Sequence, residues 1–228
     1  MSALILTLKS NLTQPIDCRL LTPNNLANLS IAEIENLGLL NIKNSPKIGD
    51  YFEASGSDAN DIVFKNSNCQ LEYIGHKMTR GQITIDGDCG DFLGSQMRGG
   101  RIICHGNAKD RVGDQMRRGL ILIDGSAGDY CGSRMIAGTI GVYGSVCRYV
   151  GFAMKRGTIL LTKTPKLHAT IQDCGTHTLP FLALLFKSFH ALPSQFANIK
   201  SLRVQRYAGD LACNGNGEIL ICDTTISA

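Results

Sequence analysis

The side chains best suited to ligate a metal or attack a substrate are five histidines and nine cysteines. The histidines are His76, His105, His168, His177 and His190. The cysteines are Cys18, Cys69, Cys89, Cys104, Cys131, Cys147, Cys174, Cys213 and Cys222. Their spacing builds no known site. No Cys-x-x-Cys pair occurs, so neither iron–sulfur nor zinc-finger spacing is present. His168 and His177 bracket Asp173 and Cys174 in an order that matches no ligand pattern and reads as a loop. Gly87-Asp-Cys-Gly90 and Gly125-Ser-Ala-Gly128 have the glycine density of phosphate-cradling loops, but neither opens a helix that would bind an anion. No catalytic residue, metal ligand or bound cofactor is expected of this chain alone. An odd number of cysteines without a pairing pattern fits free thiols in a reducing cytoplasm.

What must position any functional side chain is a repeat. Gly75, Gly94, Gly113, Gly132 and Gly151 recur every 19 residues, as do Met78, Met97, Met116, Met135 and Met154. Gly81, Gly100, Gly119, Gly138 and Gly157 form a third register, and Gly87, Gly106, Gly125 and Gly144 a fourth. A fixed short period means stacked, near-identical units. Ile102-Ile-Cys104 alternates as a strand with one buried face would. The predicted fold is therefore all-β: a right-handed parallel β-helix (a solenoid) of ~19-residue Gly-rich rungs with short capping helices at its N- and C-terminal ends. Gly87, Gly94, Gly106, Gly113, Gly125, Gly132, Gly144 and Gly151 are expected at structural turns, where positive φ or close approach is needed. His105 falls in a slot shared with Asp86, Asp124 and Tyr143 and reads as a surface side chain.

Charge also repeats. Asp91, Asp110 and Asp129 share one slot, followed by Arg148, and each carboxylate could accept a turn amide. Arg98, Arg117 and Lys155 share another, and Arg118 and Arg156 the next. These make a basic stripe, which is either a solvated face or a docking surface for an acidic partner or polyanionic ligand.

Outside the repeats, Leu4–Leu8 reads as a strand. Ser30-Ile-Ala-Glu33 is a capping box that starts a two-turn helix over 31–37, stopped at Gly38. Lys47-Ile-Gly-Asp-Tyr-Phe52 echoes Arg111-Val-Gly-Asp-Gln-Met116, and Asp61–Asn66 echoes Gln82–Gly87 as an irregular first unit. Leu179–Leu192 predicts a helix with a stripe of Phe181, Leu185 and Phe189, widened by Leu182 and Phe186, covering an open end or a flank. Gly217–Cys222 predicts a last strand. The expected organisation is 1–61 as N-terminal cap and leading strands, 62–163 as the regular β-helix, and 164–228 as loop, helix and closing strand, one structural domain overall. A net charge of +4 is well short of a nucleic-acid footprint. The longest apolar run, Leu179–Phe186, is too short to span a bilayer. Neither nucleic acid nor membrane is an expected partner.

The unit Gly-x-x-Met-x-x-Gly-x-Ile-x-Ile-x-Gly-x-Ala-Gly resembles the C subunit of formylmethanofuran dehydrogenases and of the bacterial formyltransferase/hydrolase complex. Arg111 to Tyr130 and Ser133 to Thr139 are especially similar to the bacterial form. Lys47–Phe52, Arg206–Leu211 and Gly215–Glu218 carry the resemblance outside the repeats. The β-helix of the glutamate synthase large subunit shares the unit. The resemblance implies a non-catalytic scaffold in one-carbon metabolism (formaldehyde oxidation). Its complex would move formyl from formyl-tetrahydromethanopterin to a methanofuran-type carrier and release formate. Implied partners are an amidohydrolase-like subunit holding zinc, a formyltransferase subunit and a further structural subunit. The carrier's acidic polyglutamate tail or an acidic sister subunit would meet the stripe of Arg98, Arg117, Arg118, Lys155 and Arg156. Alternatives are the C subunit of a tungsten- or molybdenum-dependent dehydrogenase and a stand-alone module of the glutamate synthase type. A hexapeptide acyltransferase would need turns of about 18 residues, and a lyase would need a clustered base in a groove.

Overall fold

In the computed structural model, which describes residues 2–10, 12–40 and 45–222, the repeat sets the order of strands. The chain runs β1 (Ala3–Leu8), β2 (Ile16–Asp17), α1 (Pro23–Leu26), α2 (Ile31–Asn36), α3 (Ile48–Tyr51), β3 (Phe52–Ser55), β4 (Asp58–Ser67) and β5 (Leu71–Glu72). It continues with β6 (Gln82–Gly87), β7 (Arg98–Cys104), β8 (Arg118–Ile123), β9 (Thr139–Val142) and β10 (Thr158–Leu161). It ends with β11 (Gln172–Thr178), α4 (Phe181–Phe189), β12 (Arg203–Gly209) and β13 (Gly217–Cys222). Positions 1, 41–44 and 223–228 of the expected segments lie outside the described residues, as does position 11.

The main sheet has eleven strands in the order β11-β12-β13-β10-β9-β8-β7-β6-β4-β1-β3, and β2 pairs with β5 in a second, two-stranded sheet. From β6 to β10 the register is the sequence period itself: Ile83, Ile102, Ile121, Ile140 and Ile159 lie side by side. The irregular first unit pairs Ile62 with Ile83, and one extra residue is absorbed by a bulge between Phe64 and Ser67. The capping box at Ser30 and Glu33 is formed and starts α2.

The right-handed parallel β-helix expected from the repeat is corrected: among the described residues, eleven of the thirteen strands form a single large mixed sheet, mostly parallel, with few helices. Two physical features account for the difference. Only one short side of each unit is strand. On the other sides, non-glycine residues take left-handed backbone: Phe92 and Gln96, Arg111 and Gln115, Tyr130 and Arg134. That conformation breaks extended pairing and leaves single bridges, Cys89 to Ala108 to Ala127 to Val146. Both margins of the sheet are also antiparallel, β1 with β3 on one side and β11, β12 and β13 on the other.

The alternating burial expected of Ile102-Ile-Cys104 is also corrected, since all three residues are buried. One face of the sheet packs on the main core of Ile83, Ile102, Met97, Met116 and their counterparts. The other face presents Ile103, Leu122, Leu160 and Leu220 to a second core built with α4. A parallel strand covered on both faces becomes a continuous apolar run. Helix α4 thus lies over a flank of the sheet. Its buried stripe is Leu182, Phe186 and Phe189, while Phe181, expected inside, is 43% exposed.

Candidate interaction site

The units are tied together by two side-chain ladders. Asp91 accepts the Asp110 amide at 3.0 Å, Asp110 that of Asp129 at 2.8 Å, and Asp129 that of Arg148 at 2.8 Å. In a parallel ladder, Asp88 accepts the Asn107 amide, Asn107 that of Ser126 and Ser126 that of Ser145. Such charge-assisted or local bonds satisfy turn amides that no strand would pair.

Two further columns carry no signal that simple glycine or methionine counting detects. Buried Asp114 takes two nitrogens of Arg134, at 3.1 and 2.8 Å, and the Ser133 hydroxyl at 2.6 Å. In an earlier unit, His76 Nδ1 meets the Ser95 hydroxyl at 2.7 Å. Burial, then the nearby Lys77 and Arg19 cations, hold His76 below the ordinary imidazole range. The second column is aromatic. Tyr73 stacks on Phe92 at 4.5 Å and Tyr130 on Tyr149 at 4.8 Å, with the Arg111 guanidinium 4.8 Å from the Tyr130 ring and Arg19 3.9 Å from Tyr73. The 19-residue spacing of Tyr73, Phe92, Arg111, Tyr130 and Tyr149 is the signal that could have found it.

The turn glycines separate into two kinds. Gly94, Gly113, Gly132 and Gly151 have positive φ, and a Cβ on Gly113 would lie 2.4 Å from the Ile140 Cδ1 methyl. Gly106, Gly125 and Gly144 lack positive φ; a Cβ there would meet the carbonyl oxygen of the preceding unit's glycine at 2.4 to 2.5 Å. Gly87 has both, φ +126° and the Ser67 carbonyl oxygen at 2.4 Å.

The basic stripe is divided. Arg98 and Arg118 are paired across β7 and β8 and line one open groove with Arg80 and Arg101, two residues outside the expected stripe. Arg80 stands in the slot of Arg118 and Arg156, so the period could have revealed it, whereas Arg101 has no basic counterpart in its slot. Arg117 is exposed beside the groove. Ile136 and Ala137 interrupt the stripe, and Lys155 and Arg156 lie beyond them, Lys155 bonding the Cys213 carbonyl at 2.7 Å.

The structure does not gather the histidines. His105 bonds Asp124 at 2.9 Å, and Asp124 in turn receives the Ser194 hydroxyl at 2.7 Å and the Gln195 amide at 2.8 Å, anchoring the segment after α4. His168 bonds Thr170, and His177 the Cys174 carbonyl. Among the described residues, no group of three or more His, Cys, Asp or Glu is placed to hold a metal ion, and no helix is long and apolar enough to cross a membrane. Cys89 and Cys104 lie 3.8 Å apart in the core, and the hydrogen bond to Cys104, with burial, pushes the Cys89 thiol up. Burial alone pushes Cys131 up to about 12.

No family model matches the chain. Over 95 residues it is 31% identical to the C subunit of the tungsten-containing formylmethanofuran dehydrogenase 2 of Methanococcus maripaludis, covering 41% of this chain and 35% of that one. With the C subunit of the enzyme of the same name from Methanothermobacter wolfeii it shares 35% over 100 residues, 42% of this chain and 37% of the relative. With the C subunit of the formyltransferase/hydrolase complex Fhc of Methylorubrum extorquens it shares 31% over 88 residues, 39% of this chain and 33% of the relative. The chain thus spans about a third of the length of the curated relatives it matches. A fuller likeness is structural. A chain in the X-ray crystal structure of the formyltransferase/hydrolase complex FhcABCD from Methylorubrum extorquens, in complex with methylofuran, superposes with a TM-score of 0.61 at 30% identity. That match covers 96% of this chain and 99% of the other. With a likeness that extends over nearly the full length of both chains, the chain belongs to the family formed by the C subunits of formylmethanofuran dehydrogenases and formyltransferase/hydrolase complexes.

Proposed function

We propose that this chain is the C subunit of a formyltransferase/hydrolase complex and acts as its non-catalytic scaffold. The complex would pass formyl from formyl-tetrahydromethanopterin to a methanofuran-type carrier and release formate. The observation that carries this reading is the likeness over nearly the full length of both chains to a chain of the FhcABCD crystal structure. Its partners would be an amidohydrolase-like subunit with zinc, a formyltransferase subunit and a further structural subunit. The chain's own contribution is rigidity: neighbouring strands of one large sheet, tied by side-chain ladders, hold surfaces at fixed spacing. The nine cysteines, all free, fit a cytoplasmic place.

A tag on this chain is expected to co-purify the sister subunits, and the assembly is expected to release formate from formyl-tetrahydromethanopterin when a methanofuran-type carrier is supplied, with no electron acceptor added. A second reading, the C subunit of a tungsten-dependent dehydrogenase, is favoured by the names of these relatives. Stoichiometric tungsten or molybdenum in the purified assembly, and oxidation of the formyl carbon to carbon dioxide with two electrons passed to an added acceptor, would select that reading.

A further inference from the structure

We infer that the basic groove and the outer face of α4 form one docking surface for an acidic, amphipathic segment of a partner subunit. This rests on the reading that the chain works inside a multisubunit assembly. Arg80, Arg98, Arg101 and Arg118 line the groove. Among the described residues, none of them is in an ion pair. Neighbouring strands lie about 4.8 Å apart, so the chain holds these cations close together without neutralising them. A guanidinium fork suits carboxylates best.

The groove has direction. Asp58 and Asp61 line its β4 end, while its centre over β7 and β8 is basic. Its far wall is α4 and the turn after it, through Ser188 and Leu192. Ser188 shares a helix face with Leu184 and Phe181, four and seven residues earlier. Leu184 is 75% exposed and Phe181 43%, although the opposite face of α4 is buried. An apolar strip therefore runs along the helix into a basic groove. The matching occupant carries apolar side chains at one end and carboxylates at the other. A nucleic acid fits less well, because its uniformly charged backbone has no apolar part to set against the exposed Leu184 and Phe181. A second copy of this chain, with net charge +4, offers poorer complementarity.

The test uses the assembly purified through this chain. A photo-crosslinking residue in place of Leu184, and separately of Arg101, is expected to label one segment of one partner subunit, rich in Asp and Glu. Leu184→Asp and the double variant Arg80→Glu with Arg101→Glu are each expected to weaken retention of that partner by about tenfold or more. Added salt should reproduce only the arginine effect. Lys166→Glu, on an exposed loop away from the groove, should leave retention unchanged, and all variants should melt with the wild type. Full retention in both groove and helix variants overturns the inference, as do crosslinks to two different subunits, to a second copy of this chain or to nucleic acid. If the wild-type chain brings down no sister subunit, the assembly reading fails and the docking surface with it. Retained partners with indifferent variants would sink the surface alone.

Discussion

The two faces of the main sheet are buried by different means. On the inner face every regular unit supplies the same side chains: an isoleucine from the strand, a methionine from the turn, and separate glycines that leave room for each. On the outer face the strands offer Ile103, Leu122 and Leu160, but the cover is a segment that occurs once, α4 and the turn after it. Where the strands leave a gap at Gly141, Phe196 fills it, and a Cβ there would lie 2.8 Å from the Phe196 ring. Repetition thus stabilises one face and a single well-fitted lid the other.

Removing the lid's anchor should have the largest effect. Phe196 is fully buried and packs on Phe189 and Tyr143, so Phe196→Ala should cost about 3–5 kcal/mol. The damage should stay on the outer face. Hydrogen exchange should accelerate in α4 and β12 while the inner turns remain protected, and uniform acceleration would contradict the division of the faces. Gly113→Ala should cost somewhat less, about 2–4 kcal/mol, from left-handed backbone strain and the overlap with Ile140. Here the loss should be global and visible as a lower thermal midpoint. Asp110→Ala removes one link of the turn ladder and should cost about 1–2 kcal/mol. A null result in a thermal melt would mean that the ladder only accompanies the fold.

The smallest effect concerns pH. Burial raises the folded-state value of Cys131 above its ordinary 9.0, to about 12. The buried thiol therefore contributes stability that is complete below the unfolded value and is lost as pH rises towards the folded one. Its slot is held elsewhere by Leu93, Val112 and Val150, so Cys131→Val should fold well. Between about pH 9 and 11 the variant should lose less stability than the wild type, as followed by chemical denaturation; equal losses would assign the alkaline weakening to other groups.

The same contrast explains what the sequence revealed. The inner slots were legible because each is written several times, and the register Ile83 to Ile159 follows the period without correction. The outer face was not. Ile103 reads as solvent-facing until α4 is placed, and no local pattern says that Phe196 returns to Gly141 or that Asp124 holds Ser194. The mixed sheet was equally hidden, because the antiparallel margins are built from unrepeated strands such as β1, β3 and β12. At the groove, Arg98 and Arg118 were found through the period, whereas Arg101 belongs to a slot with no other base.

The aspartate ladder has a consequence for how such a chain can change length. Each carboxylate accepts only from the amide of its C-terminal neighbour, and the series stops at Arg148, whose amide donates to Asp129 but whose side chain has no carboxylate to accept the next. The ladder therefore has a grammar: any number of aspartate units can be followed by one terminator. Duplicating or deleting a block of 19 residues within it leaves every donor with an acceptor, while a block of any other length breaks the sentence. Members of such a family can lengthen or shorten in whole units and keep the same two ends.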